Sequence, residues 1–291
     1  MRWEDHDPGA PGPEEVRLHQ EAVGLNYIDV YHRAGLYPLP ALPGVVDSVG
    51  SDVSEFKPGD RVAYAGIPPG AYAQDRCIPA HRLVRLPDSI ETRQAAGMML
   101  RGMTARYLLY GCHSVKAGDR ILIHAAAGGV GSIVCQWASH LGAEVIGTVG
   151  SAEKAALAQK NGCHHPVLYD QVDFVERVKA ITGGRGVDVV YDSVGQATFM
   201  KSLDCLRPMG TMVSFGQASG AVSPLDIGVL AAKGSLFLTR PSLMTYTAQR
   251  VDLLAHARDL FAVVEKGAVT ITIGQTYPLE DAARAHQDLE E

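Results

Sequence analysis

The five cysteines of this sequence, Cys77, Cys112, Cys135, Cys163 and Cys205, are odd in number, widely spaced and never arranged as CxxC. That pattern excludes a disulfide framework and fits scattered reduced thiols. It also denies zinc the Cys/His spacing that a metal site requires, so no metal is expected. The adjacent His164 and His165 read as a loop feature. Basic clusters are equally absent: 26 Lys and Arg stand against 32 Asp and Glu, for a net charge of −6. The electrostatic footprint of nucleic-acid binding is therefore missing, and no nucleic-acid partner is expected. No apolar run approaches the roughly 18 residues that cross a bilayer, so no membrane association is expected. The opening MRWEDHDPGAPGP is acidic and rich in Pro and Gly, unlike a secretory signal, and a cytoplasmic location is the expectation.

What is present is ordinary in bulk and distinctive in pattern. At 291 residues, with 46% hydrophobic and 20% charged residues, the chain suits a soluble globular enzyme of two domains or one large one. Its 31 glycines exceed average usage, and many sit where a strand meets a helix. The first third reads as short strands with Gly/Pro turns: an alternating stretch in 15–24, a helix-spaced 27–34, a strand over 44–50, and a Pro-Gly turn feeding a strand in 57–64. Such a run predicts a barrel-like β domain. From about Ala105 the rhythm becomes strand, helix, strand, helix. Strands are predicted over 120–125, 144–149, 187–192, 211–215 and 235–239, with helices over 131–141, 152–161, 174–182 and 198–206. Near-continuous apolar strands in repeated βα units imply a doubly wound parallel sheet of Rossmann type, and so an α/β fold. The tail predicts a long helix over 248–266, a strand over 270–276 and a short helix over 279–289.

The strongest motif is IHAAAGGVGSIVCQWA at 123–138, which follows a strand and opens a helix. Gly128 and Gly131 fill two positions of a dinucleotide fingerprint, and Ala125 stands in place of the first glycine. Small residues keep the turn tight and let backbone amides approach a pyrophosphate, while Gly131 lets the helix pack closely on the strand. An NAD site usually carries Asp or Glu at the end of the second strand. Here that strand ends in Gly150 and Ser151, with Lys154 following. Glu153 falls in the first helical turn, where acids complement the helix dipole. A missing carboxylate beside Ser and Lys suits a 2′-phosphate, hence NADPH.

The motifs AAAGGVG, GLNYIDVYHRAGLYP (24–38), VYDSVG (190–195), DCLRPMGTMVSFG (204–216), SGAV (219–222) and LTRPSL (238–243) together resemble the quinone oxidoreductases related to zeta-crystallin. These form the zinc-free branch of the medium-chain dehydrogenases and reductases. The resemblance spans nearly the whole chain. It implies a GroES-like β-barrel catalytic domain from 1–104 and 245–291, a Rossmann cofactor domain over 105–244, and an active cleft between them. It implies NADPH:quinone oxidoreductase activity without zinc. Asn26, Tyr31 and Tyr37 match polar positions near the nicotinamide and substrate. Ala127, Gly128, Gly129 and Val130 match the pyrophosphate loop, Lys154 and Tyr169 the 2′-phosphate site, and Phe215 and Gln217 the nicotinamide pocket. Arg240 falls in the TRPSL segment, close to the cofactor and the dimer interface in the family, and a homodimer is expected. The sequence departs from the family pattern in lacking the usual first strand before Arg2, the final strand after Glu291, and a short Gly-rich segment between Pro43 and Gly44. The expectation is that the natural protein carries those residues. Two alternatives stay open: an NADPH-dependent enone or 2-alkenal reductase, and a non-enzymatic crystallin-like or RNA-binding relative.

Overall fold

A computed structural model describes residues 4–33 and 44–290. Tyr37 and the Pro43–Gly44 junction fall outside a complete description, the first and Pro43 lying beyond these residues. Along the chain the elements run β1 (Glu15–His19), α1 (Tyr27–Arg33), β2 (Gly44–Val49), β3 (Arg61–Ala63), β4 (Asp75–Pro79), β5 (Val84–Arg85), α2 (Thr92–Arg106), β6 (Arg120–Ile123), α3 (Gly129–His140), β7 (Glu144–Val149) and α4 (Ala152–Lys160). They continue with β8 (His165–Leu168), α5 (Phe174–Thr182), β9 (Val187–Asp192), α6 (Phe199–Leu203), β10 (Leu206–Ser214), α7 (Gly228–Ala232), β11 (Phe237–Thr239), α8 (Leu243–Tyr246), α9 (Arg250–Glu265) and α10 (Ala282–Glu290). Two compact units result. The first comprises 1–103, 246–266 and 271–291; the second comprises 104–245 and 267–270.

The first unit is built on a five-stranded antiparallel sheet in the order β4-β1-β2-β3-β5. Its strands alternate between buried and partly exposed residues, with Val16, Leu18 and Ile78 fully buried, as expected of a sheet with one covered face. The helices α2 and α9 meet at Gly102. A Cβ there would stand 2.4 Å from a Leu260 methyl, so a larger residue would require the Leu260 side chain to shift.

The second unit is a six-stranded parallel sheet in the order β11-β10-β9-β6-β7-β8. Every residue of β9 is buried, and β7 is buried beyond its first residue, because helices cover both faces of a parallel sheet. Chain order places β6 beside β9 at the middle. The connections reverse direction there, and ligands of such sheets bind outside the carboxyl ends of the strands at that point.

The structure departs from the sequence expectations in two places. Of the pair His164 and His165, the first lies in a bend outside any element, as expected of a loop, and the second opens β8. The Val145 amide donates to His164 Nδ1 at 3.0 Å, and His165 Nε2 lies 2.8 Å from Glu144 Oε1. The segment 270–276 forms no strand: its residues are mostly exposed and make no ladder among the described residues. Alternation supplies a strand's pattern but not the neighbour that a strand needs.

Candidate cofactor pocket and the polar chain around Asn26

The Gly-rich turn joins β6 to α3. Ala125 adopts φ +54, the left-handed conformation in which glycine would be unstrained, and its carbonyl accepts the Gly128 amide at 2.8 Å. The Ala126 amide donates to Thr148 O of β7 at 3.0 Å, tying the turn to the neighbouring strand. Gly131 is buried against this turn. A Cβ at that position would stand 2.2 Å from Ala125 O and 2.9 Å from Ala126 Cα. Gly128 is the residue before α3, and the free amides of the first helical turn belong to Gly129, Val130 and Gly131.

A cavity of about 540 Å³ opens beside this turn. It is lined by Ala127 and Gly128 of the turn, Gly150 and Lys154 after β7, Tyr169 after β8, and Lys201 of α6, among others. Ser151 caps α4, its hydroxyl accepting the Lys154 amide at 3.2 Å. Lys154 forms no ion pair among the described residues. The Tyr169 hydroxyl rests over Gly150, where a Cβ would approach to 2.8 Å. The structure thus brings Ala127, Gly128, Gly150, Lys154 and Tyr169 to one cavity. Gly129, Val130 and Gly131 continue the same turn. Phe215, Gln217 and Arg240 lie outside the lining: Phe215 follows β10 and donates its amide to Asp192 O at 2.8 Å, and Arg240 Nη1 donates to Ser214 O at 2.8 Å.

Sequence reasoning missed the polar back wall of the cavity. His124 is buried, with Nδ1 2.8 Å from Thr148 Oγ1 and Nε2 2.9 Å from Ser202 Oγ. The Ser202 hydroxyl donates to Asp192 Oδ2 at 2.9 Å, so it can only accept from His124. The proton of the neutral ring is therefore on Nε2, and Nδ1 accepts from Thr148. Burial pushes the His124 pKa down, which keeps the ring neutral. Asp192, fully buried, also accepts from the amides of Val194 and Gly195 and from Thr198 Oγ1. Histidine at the end of a strand was visible in the sequence, but its partners lie 24 and 78 residues away.

In the first unit Asn26 is buried and held at both ends of its carboxamide. Its Nδ2 donates to Gly24 O at 2.9 Å, and its Oδ1 accepts from Arg101 Nε at 3.0 Å. Asp29 Oδ2 accepts the Asn26 amide at 2.8 Å and the Tyr72 hydroxyl at 3.0 Å, and Tyr72 in turn lies 3.1 Å from His286 Nε2. Burial, reinforced by Asp29, pushes the Tyr72 pKa well up, so its hydroxyl stays protonated. Tyr31 sits on α1 with its ring edge-on to Tyr27, centroids 5.3 Å apart. Arg101, Tyr72 and His286 were not anticipated from sequence.

Residues 12–88 match the alcohol dehydrogenase GroES-like domain family, and residues 129–252 match the zinc-binding dehydrogenase family. The chain is 48% identical to a quinone oxidoreductase of Pseudomonas aeruginosa, over 99% of this chain and 91% of that protein. The chain belongs to the zeta-crystallin-like quinone oxidoreductases of the medium-chain dehydrogenase/reductase superfamily. It is likewise 48% identical to a 2-haloacrylate reductase of a Burkholderia species, over 98% of this chain and 90% of that protein. The Escherichia coli quinone oxidoreductase solved in complex with NADPH superimposes with a TM-score of 0.96 at 45% identity, covering 99% of this chain and 91% of that one. Although one matching family is described as zinc-binding, the described residues contain no group of three or more His, Cys, Asp or Glu side chains able to hold a metal ion. Among the described residues, no helix is long and apolar enough to cross a membrane.

Proposed function

We propose that this chain is an NADPH:quinone oxidoreductase. The observation that carries the reading is the cavity in which an open glycine turn, Lys154 and the Tyr169 ring converge. These residues fit a dinucleotide with a phosphorylated ribose. Glycine at 128 and 150 leaves the space that side chains would fill, the amides opening α3 suit an anion, and no carboxylate ends β7. Ala127, Gly128, Gly129 and Val130 hold the pyrophosphate, while Gly131 keeps α3 seated on the turn. Gly150, Ser151, Lys154 and Tyr169 hold the 2′-phosphate side. Phe215 and Gln217 serve the nicotinamide side, and Arg240 lies close to the cofactor and the dimer interface.

The bound cofactor supplies a hydride at its nicotinamide ring. The chain binds and orients it, and keeps water from competing. Asn26, Tyr31 and Tyr37 are the groups assigned to the acceptor, whose oxygens gain charge and then protons. One Nδ2 hydrogen of Asn26 is given to Gly24 O and its Oδ1 is held by Arg101, which fixes the carboxamide and leaves its second Nδ2 hydrogen as the group that would meet the acceptor. A homodimer belongs to the same reading. The strand β11 is the sheet edge and exposes Phe237 (64%) and Leu238 (39%), a surface suited to pairing with a twin. A cytoplasmic location agrees with five free cysteines, and a net charge of −6 argues against a nucleic-acid partner.

A second reading, reduction of an activated alkene, is favoured by the similarity to the 2-haloacrylate reductase. The test is oxidation of NADPH and NADH, side by side, with 1,4-benzoquinone, 9,10-phenanthrenequinone and 2-chloroacrylate, on wild type and Lys154→Ala. Quinone turnover that prefers NADPH and loses that preference in the variant supports the first reading. Turnover of the acrylate alone would replace it with the second.

A further inference from the structure

We propose that Lys201 is a second cation for the ribose phosphate, stored in an ion pair with Asp173 until that phosphate enters. The inference rests on the NADPH reading above.

Three charged side chains line the cavity: Lys154, Asp173 and Lys201. Lys201 Nζ lies 2.8 Å from Asp173 Oδ2, with the two side chains 56% and 43% exposed. Asp173 is fixed. Its Oδ1 accepts the Val175 amide at 2.8 Å and caps α5, so it cannot leave without uncapping the helix. Lys201 has no such tie. Its ammonium sits 5.9 Å from the Phe174 ring centroid, and its long stem is the mobile half of the pair.

The charge balance gives this arrangement a purpose. With the pair closed, Lys154 is left without an ion pair among the described residues, and burial holds His124 neutral. A phosphate monoester brings about −1.5 to −2 charges at neutral pH. One lysine leaves that charge under-compensated, and the fixed Asp173 carboxylate adds repulsion. Moving Lys201 from carboxylate to phosphate exchanges an exposed ion pair, worth little, for a charge-assisted bond to a more highly charged partner. A cofactor without the 2′-phosphate gains nothing from that exchange. Lys201 therefore acts on the choice between NADPH and NADH and not on dinucleotide affinity in general.

The experiment is titration calorimetry of the full chain with NADPH, NADH and 2′,5′-ADP, on wild type, Lys201→Ala, Lys201→Arg and Asp173→Asn. Lys201→Ala should weaken NADPH and 2′,5′-ADP about tenfold and NADH less than about twofold. Lys201→Arg should restore the preference. Asp173→Asn keeps a capping oxygen, removes the repelling charge, and should tighten NADPH relative to NADH, which carries the test even if Lys201→Ala folds poorly. Equal weakening of both nucleotides, or no change, in a chain whose wild type prefers NADPH would overturn the role of Lys201 alone. A wild type that does not prefer NADPH would overturn the cofactor reading, and this inference with it.

Discussion

Gly131→Ala is the sharpest perturbation of the cofactor turn. The added methyl would stand 2.2 Å from Ala125 O and 2.9 Å from Ala126 Cα, and both obstacles are backbone. Ordinary carbon–oxygen contact lies above 3 Å, so the turn and α3 must separate by about an ångström. Overpacking of this kind costs about 1–3 kcal/mol, offset by about 0.5–1 kcal/mol because alanine favours a helix over glycine. The expected net loss is up to about 2.5 kcal/mol, at most a few degrees in the thermal transition. The larger effect falls on the cofactor: an ångström of displacement moves the α3 amides out of reach of a pyrophosphate, and NADPH affinity should fall at least about tenfold. Gly128→Ala is the internal control. Its methyl would stand 3.1 Å from Ala125 O in a backbone conformation open to alanine, so stability should change by less than about 1 kcal/mol. Calorimetric melting and NADPH titration of both variants decide the matter. A Gly131→Ala protein with wild-type melting and NADPH affinity would refute the close-approach argument.

Other outcomes follow from the same geometry. Gly150→Ala presses only on the movable Tyr169 hydroxyl, so melting should hold while NADPH binding weakens; equal loss of NADH binding would contradict this. Asn26→Ala strands Arg101 Nε and Gly24 O, and urea unfolding should show a loss of about 1–3 kcal/mol with NADPH affinity unchanged. His124 and His286 both have pKa values lowered by burial, so the unfolded chain binds more protons below its histidine pKa of about 6.5. Their stabilisation is complete above that pH and is lost as pH falls, by up to about 1.4 kcal/mol per pH unit for each histidine. Urea titrations from pH 7.5 to 5.5 should show this slope, and His124→Asn should flatten it.

The sequence made the repeated βα rhythm, the cofactor turn and the Ser151–Lys154 corner legible because each is local: a strand, small residues, a helix. What it hid depends on distant partners. The sequence offers Asn26 as a candidate but does not show that Arg101, 75 residues on, holds its oxygen. Lys201 and Asp173 look like ordinary surface charges until α5 and α6 bring them to one cavity. The segment 270–276 alternates like a strand yet lies unpaired among the described residues, and β8 is not legible because its HPVL is too short to show a period.

The composition of the first unit has a consequence for synthesis. It contains both ends of the chain, joined through the contact of Leu260 with Gly102, the bond of His286 with Tyr72 and the ion pair of Arg33 with Glu290. On the ribosome the parallel sheet of the second unit is complete once β11 has emerged, and it can condense while the tail is still being made. The first unit must wait for α9 and α10, with its earlier strands and α2 lacking their cover in the meantime. Of the two, it is the unit that a nascent chain leaves open to chaperones, and the one that removal of the last helix would leave unfinished.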